Sequence, residues 1–190
     1  DPHAAAAVWQ TISCPPPAAA AARKPATGGA APAPPPPPTP ADAAAQVWSW
    51  ETTLPEPSLA TSPPDGAITG LDLYLTIGGS QTMVYDVPAL GYMVHLDVSS
   101  VYDVDWGDPH PDASPTGRAV TRNHPNQGGP YPRGDLRHQY IDRGSMTITV
   151  TQKWTARWTA GGESGTIEDR LATSASHTFP VREIQAVITG

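Results

Sequence analysis

The distribution of proline constrains the fold of this 190-residue chain more than any other feature. Residues 1–50 contain 12 of the 24 prolines together with 17 alanines, and residues 34–38 are five prolines in a row. Proline lacks an amide hydrogen and has a fixed φ, so such a stretch favours polyproline II and excludes a helix or a sheet ladder. We therefore predict an extended Pro/Ala-rich arm over residues 1–50. Residues 51–190 are enough for one domain with its own core.

The last part of the arm differs from the rest. Ala41–Trp50 has no proline and carries Asp42 near its start, which predicts a short helix. Trp9, Trp48 and Trp50 are costly to leave in water, so they are candidate anchors of the arm. Three interpretations remain open: the anchors pin the arm to a sandwich, either its own or that of a neighbouring subunit; Trp48 and Trp50 cap their own domain; or the indoles stack on carbohydrate.

From Leu54 onward the sequence changes to short runs with period-two alternation, which is typical of β-strands. The predicted strands are Ile68–Ile77, Tyr92–Val98, Val101–Trp106, Leu136–Tyr140, Met146–Trp158 and Thr178–Ile188. Residues 107–135 contain six prolines and five glycines, which predicts a long irregular excursion with little strand. Six or seven strands with almost no helix predict an all-β fold, an antiparallel β-sandwich of two sheets.

One ordered set of motifs is more specific than this pattern. An aromatic-Gly-Asp turn is followed about thirty residues later by His-x-Tyr, then by a glycine and an alternating strand. The residues of the motif are Trp106, Gly107, Asp108, His138, Tyr140 and Gly144. This order resembles the PKD repeat, an immunoglobulin-like β-sandwich. The chain departs from that family at Pro109, which replaces a glycine, and at Met146, which replaces an aromatic residue.

The resemblance extends over residues 54–189. Segments such as Thr69-Gly70-Leu71, Trp154-Thr155-Ala156-Arg157-Trp158 and Val181-Arg182-Glu183-Ile184 are similar to a group of exported PKD-like proteins of actinobacteria, whose role is not established. The resemblance implies a secreted protein or one at the cell surface, and it implies no catalytic residues.

The motif residues themselves are interpreted as scaffold. His138 and Tyr140 are two apart on a strand, so both side chains point to the same face. We expect them to hydrogen-bond into the turn Trp106–Asp108, with Tyr140 forming a bond like that of a tyrosine corner. Trp106 is expected to pack between the two sheets.

An acidic cluster beside the turn is the candidate metal site. Asp103, Asp105 and Asp108 have carboxylates at a spacing that can hold calcium through oxygen ligands. The segment lacks the glycine and the final glutamate of an EF-hand loop, and no histidines have the spacing of a zinc site. The preferred interpretation is a capped turn with exposed aspartates and no cofactor, with calcium as the alternative.

Charge and motif content exclude several classes of function. The net charge of −7 repels a phosphate backbone, so no nucleic acid partner is expected. No apolar run approaches the roughly 20 residues that cross a bilayer. Gly-x-Ser-x-Gly is absent, and the single Cys14 lies in the proline-rich arm, so the chain is not expected to be an enzyme. Cys14 cannot form an internal disulfide; a free thiol, an intermolecular bridge and a modified cysteine stay open.

Taken together, these patterns predict a non-enzymatic extracellular structural subunit or adhesion module of a cell-surface assembly, filaments included. Its arm would dock on a neighbouring subunit, either a second copy or another surface protein. The alternative is a monomeric glycan- or protein-binding module on a stalk, with residues 107–135 as its binding loops. The Thr, Ser and Pro content of the arm also permits O-glycosylation.

Overall fold

The computed structural model describes residues 34–50, 53–109 and 118–184. In chain order the elements are α1 (Pro40–Trp50), β1 (Ser58–Ser62), β2 (Ala67–Ile68), β3 (Asp72–Gly78), β4 (Thr82–Ala89), β5 (Tyr92–Pro109), β6 (Arg118–His124), β7 (Arg137–Gln139), β8 (Gly144–Ala160) and β9 (Glu163–Arg182). The prediction of an all-β fold is confirmed, and the short helix predicted over residues 41–50 is present.

Residues 37–190 form a compact unit that contains α1 and every strand of the described residues. The predicted boundary lay after residue 50, so α1 belongs with the strands and not with the proline-rich segment before it. Trp9 and Cys14 lie outside the described residues.

The strands form two sheets. The smaller has the order β1-β3-β7 and is antiparallel throughout. The larger has the order β2-β9-β8-β5-β4, and β6 also pairs with β5. β4 pairs with the first half of β5 and β6 with the second half, so these two short strands follow one another along the same edge. β5, β8 and β9 span 18, 17 and 20 residues, so they form a ribbon about 60 Å long.

One face of β5 and β8 is buried along the ribbon, and two different covers bury it. The smaller sheet covers one half; this sheet-on-sheet core includes Leu73, Leu75, Ile77, Tyr102, Val104, Trp106, Tyr140, Ile148, Val150 and Phe179. Helix α1 covers the other half; this helix-on-sheet core includes Ala43, Ala44, Val47, Trp48, Val94, Leu96, Val98, Trp154, Ala156, Trp158 and Ala160.

A buried polar group lies between the two cores. The Gln152 side chain is 1% exposed, and its amide donates hydrogen bonds to the Ser80 carbonyl oxygen at 2.9 Å and the Ser100 hydroxyl at 2.8 Å. Gln152 and Ser100 interrupt the apolar alternation of β8 and β5. They lie at nearly the same level of the ribbon, because each is next in sequence to one member of the cross-strand pair Val101–Lys153. The ribbon is therefore continuous in backbone but divided in its apolar packing.

Helix α1 forms because its first turn is capped. Thr39 precedes Pro40, and the Asp42 carboxylate accepts hydrogen bonds from the Thr39 amide at 2.9 Å and the Thr39 hydroxyl at 2.8 Å. The Asp42 amide in turn donates to the Thr39 hydroxyl oxygen at 3.2 Å. This is a reciprocal capping box with proline at the first helical position, where its missing amide hydrogen is no loss.

Several strands differ from the sequence-based prediction. β5 is one continuous strand where two were predicted, and β6 lies within the region predicted as irregular. β9 begins at Glu163, fifteen residues before the predicted start at Thr178. β4 was not predicted. β6 has few apolar residues and β9 contains Gly165, so their composition favours a strand only weakly. They form strands because β6 pairs with the long strand β5 and β9 pairs with the long strand β8.

Candidate functional site

The structure brings the predicted turn and His-x-Tyr strand together. The Tyr140 hydroxyl, which is buried, donates a 2.8 Å hydrogen bond to the Trp106 carbonyl oxygen. The His138 imidazole lies parallel to the Trp106 indole, with ring centroids 5.2 Å apart. Its Nε2 atom is 2.9 Å from the Asp108 carboxylate. These four residues form one connected cluster, which we call the turn cluster.

The predicted turn Trp106–Asp108 lies inside β5, at a β-bulge where the register with β6 shifts, and not at the end of a strand. Glycine is required in the middle of this segment. Gly107 has a φ of 73°, which side chains rarely adopt, and a Cβ atom built there would lie 2.3 Å from the Thr147 carbonyl oxygen. The Gly107 amide donates a hydrogen bond to the Asp105 carboxylate at 2.9 Å, so this side chain stabilises the local backbone conformation. Gly144 lies apart from the turn cluster, at the start of β8, where it pairs with Val181 of β9.

Much of the turn cluster is buried. Burial, together with the nearby Asp108 and Asp105 carboxylates, raises the pKa of Tyr140 above its ordinary value, so the phenol stays a hydrogen-bond donor. The Asp108 side chain is 3% exposed and faces His138, so solvent scarcely reaches the pair. The geometry positions β5 against β7 and leaves little access for a substrate.

The three candidate calcium ligands point to different partners. Asp108 faces His138 in the turn cluster, whereas Asp105 accepts from Arg118 at 3.2 Å and Asp103 contacts the Lys153 ammonium at 2.9 Å. Partial burial raises the pKa of Asp103, but hydrogen bonds from the Asn123 amide and the Lys153 ammonium outweigh it and lower the pKa overall. Within the described ranges, no three acidic, histidine or cysteine side chains are grouped as a metal site.

Of the three candidate arm anchors, the structure describes the side chain of Trp48. It is 3% exposed and packs in the helix-on-sheet core of its own chain, which matches the interpretation that it caps its own domain. Ala43, Ala44 and Val47 lie on the same face of α1, so Trp48 supplies the largest apolar surface of the helix. Trp9 and the side chain of Trp50 lie outside the described residues.

The start of α1 lies at one tip of the ribbon. The Tyr92 hydroxyl is 3.4 Å from the Pro38 carbonyl oxygen, and a Cβ atom built on Gly161 would lie 3.3 Å from Cγ of Pro40. Tyr92 is the first residue of β5, and Gly161 directly follows Ala160, the last residue of β8. The compact unit of residues 37–190 therefore begins beside the turn between β8 and β9.

β9 leaves a long backbone edge open. Residues 163–167 and 171–180 pair with β8 on one side, with a register shift between these two stretches, and no other strand of the described residues pairs with the second side of β9 before β2 reaches Val181. Sequence reasoning missed this edge because residues 163–177 were not assigned to a strand. The available signal was the Gly161-Gly162 pair after an alternating run, which is a hairpin turn signal.

The outer face of β8 and β9 is rich in hydroxyl groups. Thr147 and Thr178 face each other with hydroxyl oxygens 2.8 Å apart, and Thr149 faces Ser176 at 3.0 Å. Thr151 and Ser174 form the next cross-strand pair. This face is polar, which is the expected state for the solvent side of an antiparallel sheet.

One aromatic side chain stands out of the loop between β6 and β7. Tyr131 is 69% exposed, and its ring meets that of Tyr74 edge to face with centroids 5.6 Å apart. By contrast, Trp48, Trp106, Trp154 and Trp158 are buried. Any stacking surface formed by the described residues therefore depends on tyrosine and not on those indoles.

Comparison with protein-family models, with curated proteins and with solved structures finds no match for this chain. Among the described residues no helix has the length and apolar character needed to span a bilayer. A function for the chain therefore rests on its own residues.

Proposed function

We propose that this protein is a non-enzymatic structural subunit or adhesion module of an extracellular assembly, in which the N-terminal arm docks on a neighbouring subunit. The observation that carries the proposal is the burial of α1 in the helix-on-sheet core. The segment that follows the proline-rich arm is thereby part of the fold. Because the arm continues directly into a buried helix, a force on the arm would act on the folded domain. A tail joined through a flexible linker would not transmit force in this way.

The type of fold in this proposal is an immunoglobulin/PKD-like sandwich. Two observations support it: the two sheets share one apolar core, and the Tyr140 hydroxyl bonds to the Trp106 carbonyl oxygen as a tyrosine-corner-like contact. Helix α1 and the extension of β5, β8 and β9 beyond the smaller sheet are additions to such a sandwich. A secreted or surface location belongs to the same proposal and rests on the resemblance of residues 54–189 to exported proteins.

The non-enzymatic part of the proposal draws on how the ionisable groups are used. Asp108 and His138 are paired within the core, and Asp103 is paired with Lys153 on the sheet surface. Each pair joins two strands or a strand and a turn. Such groups stabilise the framework, whereas a general acid or base must reach a substrate.

The experiment compares the full chain with a variant lacking residues 1–36, which keeps α1. Sedimentation velocity over a concentration series should show assemblies for the full chain and monomers for the truncated chain. Matching melting temperatures for the two proteins would show that the fold is retained. An unchanged size distribution after truncation contradicts the proposal.

A second candidate function is glycan binding through Tyr131. An exposed aromatic ring held by a second ring offers a face on which a sugar can stack, and Tyr131 is such a ring. Glycan-array binding that disappears in Tyr131→Ala would support this function. Ile141→Ala is the matched control because Ile141 is equally exposed, at 68%, and is not aromatic.

A further inference from the structure

The open edge of β9 has a stretch without the usual protection. Leu171–Phe179 contains no proline, no glycine and no Asp, Glu, Lys or Arg. Natural edge strands are commonly blocked by charges, proline or short length, because unpaired backbone groups invite another strand. β4, on the opposite side of the sheet, is eight residues long and carries Pro88. β9 therefore has a long edge that is open to pairing.

The inward side chains of this stretch are incompletely covered. Leu171 packs at the margin of the helix-on-sheet core, and Leu171, Thr173 and Ala175 are only partly buried. Phe179, at the far end of the stretch, is buried in the sheet-on-sheet core. A further strand beside Leu171–Ala175 would cover the side chains that β9 leaves half exposed.

Residues 1–39 contain one segment with the composition of a strand. Val8-Trp9-Gln10-Thr11-Ile12-Ser13 has four β-forming residues and neither proline nor glycine, whereas alanine and proline dominate the rest of this region. In an extended conformation Val8, Gln10 and Ile12 share one face, and Trp9, Thr11 and Ser13 share the other. The first face thus carries two aliphatic side chains on either side of Gln10, and the second carries two hydroxyl groups beside Trp9.

We propose that residues 8–13 of one copy add a strand to Leu171–Phe179 of a second copy. The inference rests on the proposed function and names both the docking segment and its acceptor. Val8 and Ile12 are four residues apart, as are Leu171 and Ala175, so two apolar pairs align on the inner face. Thr11 and Ser13 then lie beside the hydroxyls of Ser174 and Ser176. Backbone pairing supplies affinity, and these side chains set the register.

The tether is long enough for this connection between two copies. Residues 14–36 separate the docking segment from the compact unit that begins at residue 37. At about 3.1 Å per residue, a chain of this length in the polyproline II conformation would span roughly 70 Å, slightly more than the ribbon of about 60 Å. A subunit can thus hold a neighbour that lies beside it or beyond its tip.

The first test is Thr11→Pro in the full chain. Proline removes a backbone donor and should weaken association by roughly tenfold or more in sedimentation velocity, because the added strand loses its ladder. Ala20→Pro is the matched control, since it adds the same residue to the tether and should leave association unchanged. Equal association of Thr11→Pro and the original chain overturns the inference.

The second test uses the single native cysteine, Cys14, which directly follows the docking segment. His177→Cys and Leu171→Cys place a thiol at either end of the acceptor stretch and cover both strand directions. In a mixture of isotopically labelled and unlabelled copies, one of them should form a disulfide with Cys14 of another copy. Val84→Cys, an exposed position on β4, should not. Disulfides confined to single copies, or equally frequent at residue 84, contradict the inference.

The outcomes separate this inference from the proposed function. If truncation of residues 1–36 abolishes assembly but Thr11→Pro does not, the arm docks by another contact and only the strand-addition inference is wrong. If the full chain is monomeric at every concentration, both are wrong. If Thr11→Pro and truncation act alike and the disulfide joins different copies, both stand.

Discussion

The two cores of the ribbon bury the same face of the same strands but differ in what covers them. The sheet-on-sheet core is closed by three strands and by the turn cluster, whose hydrogen bonds tie β5 to the segment around β7. The helix-on-sheet core is closed by one helix of 11 residues. One half is therefore held by many separated chain segments, and the other depends on a single segment next to the arm.

This difference predicts which half of the molecule is rigid and which half can open locally. Contacts between distant segments must break together, so the sheet-on-sheet core should open only in global unfolding. The helix-on-sheet core can open by release of α1 alone. Tension on the arm would act on this second core first.

The largest expected effect is at the turn of the sheet-on-sheet core. Gly107→Ala should destabilise the protein by roughly 4 kcal/mol or more, because its Cβ would collide with the Thr147 backbone at a positive φ. Gly162→Ala is the control: it also has a positive φ, but nothing lies within 4 Å of the added Cβ. That variant should lose only about 1–2 kcal/mol. Equal losses in urea unfolding would show that the turn is not tightly packed.

The next largest effect is expected in the helix-on-sheet core. Trp48→Ala should cost about 3 kcal/mol, since a buried indole is removed. Hydrogen exchange should speed up at Val94–Val98 and remain slow at Tyr102–Trp106. Ser49→Ala, an exposed change on the same helix, should stay within about 0.5 kcal/mol. Equal acceleration along all of β5 would mean that the two cores open as one.

A smaller effect is expected at the boundary between the cores. Gln152→Met keeps the side-chain length but leaves the Ser80 carbonyl and the Ser100 hydroxyl without their donor. The loss should be about 2 kcal/mol in thermal or urea unfolding. The exposed Gln139→Met serves as control and should be near neutral. A stabilised Gln152→Met protein would show that the boundary gains more from apolar continuity than from its hydrogen bonds.

The smallest effect is a pH dependence confined to the helix side. Hydrogen bonds from the Thr39 amide and hydroxyl lower the pKa of Asp42 below its ordinary value. A lowered folded-state pKa means that the contribution is present above the unfolded pKa, near about 4, and is lost as the pH falls through the folded value. Asp42→Asn should flatten the pH dependence of helix melting below about pH 4. Identical acid profiles for the two proteins would contradict this role of the capping box.

Local patterns predicted much of the fold. Apolar alternation predicted strands in the regions of β5 and β8. The absence of proline from residues 41–50 and the presence of Asp42 near their start predicted α1. The turn cluster was also predictable, because Trp106-Gly107-Asp108 and His138-x-Tyr140 are local motifs and side chains two apart on a strand share a face.

Other features were not predictable because they depend on partners far along the chain. β6 has little apolar character of its own and is a strand because β5 offers it an edge. Trp48 was open to several interpretations because composition does not say which surface an indole meets. The calcium candidates failed to converge, since alternation along β5 sends Asp103 and Asp105 outward and Asp108 inward.

What the sequence determined alone is the division between a proline-rich arm and an alternating β region, since both follow from the backbone preferences of neighbouring residues. Tertiary structure decided that α1 joins the fold, that Gln152 separates two cores, and that β9 keeps an open edge. These three outcomes depend on which strand lies beside which, and pairing between distant segments is decided by the packing of the whole sheet. Helix α1, which follows the proline-rich segment in the sequence, thus covers one of the two cores.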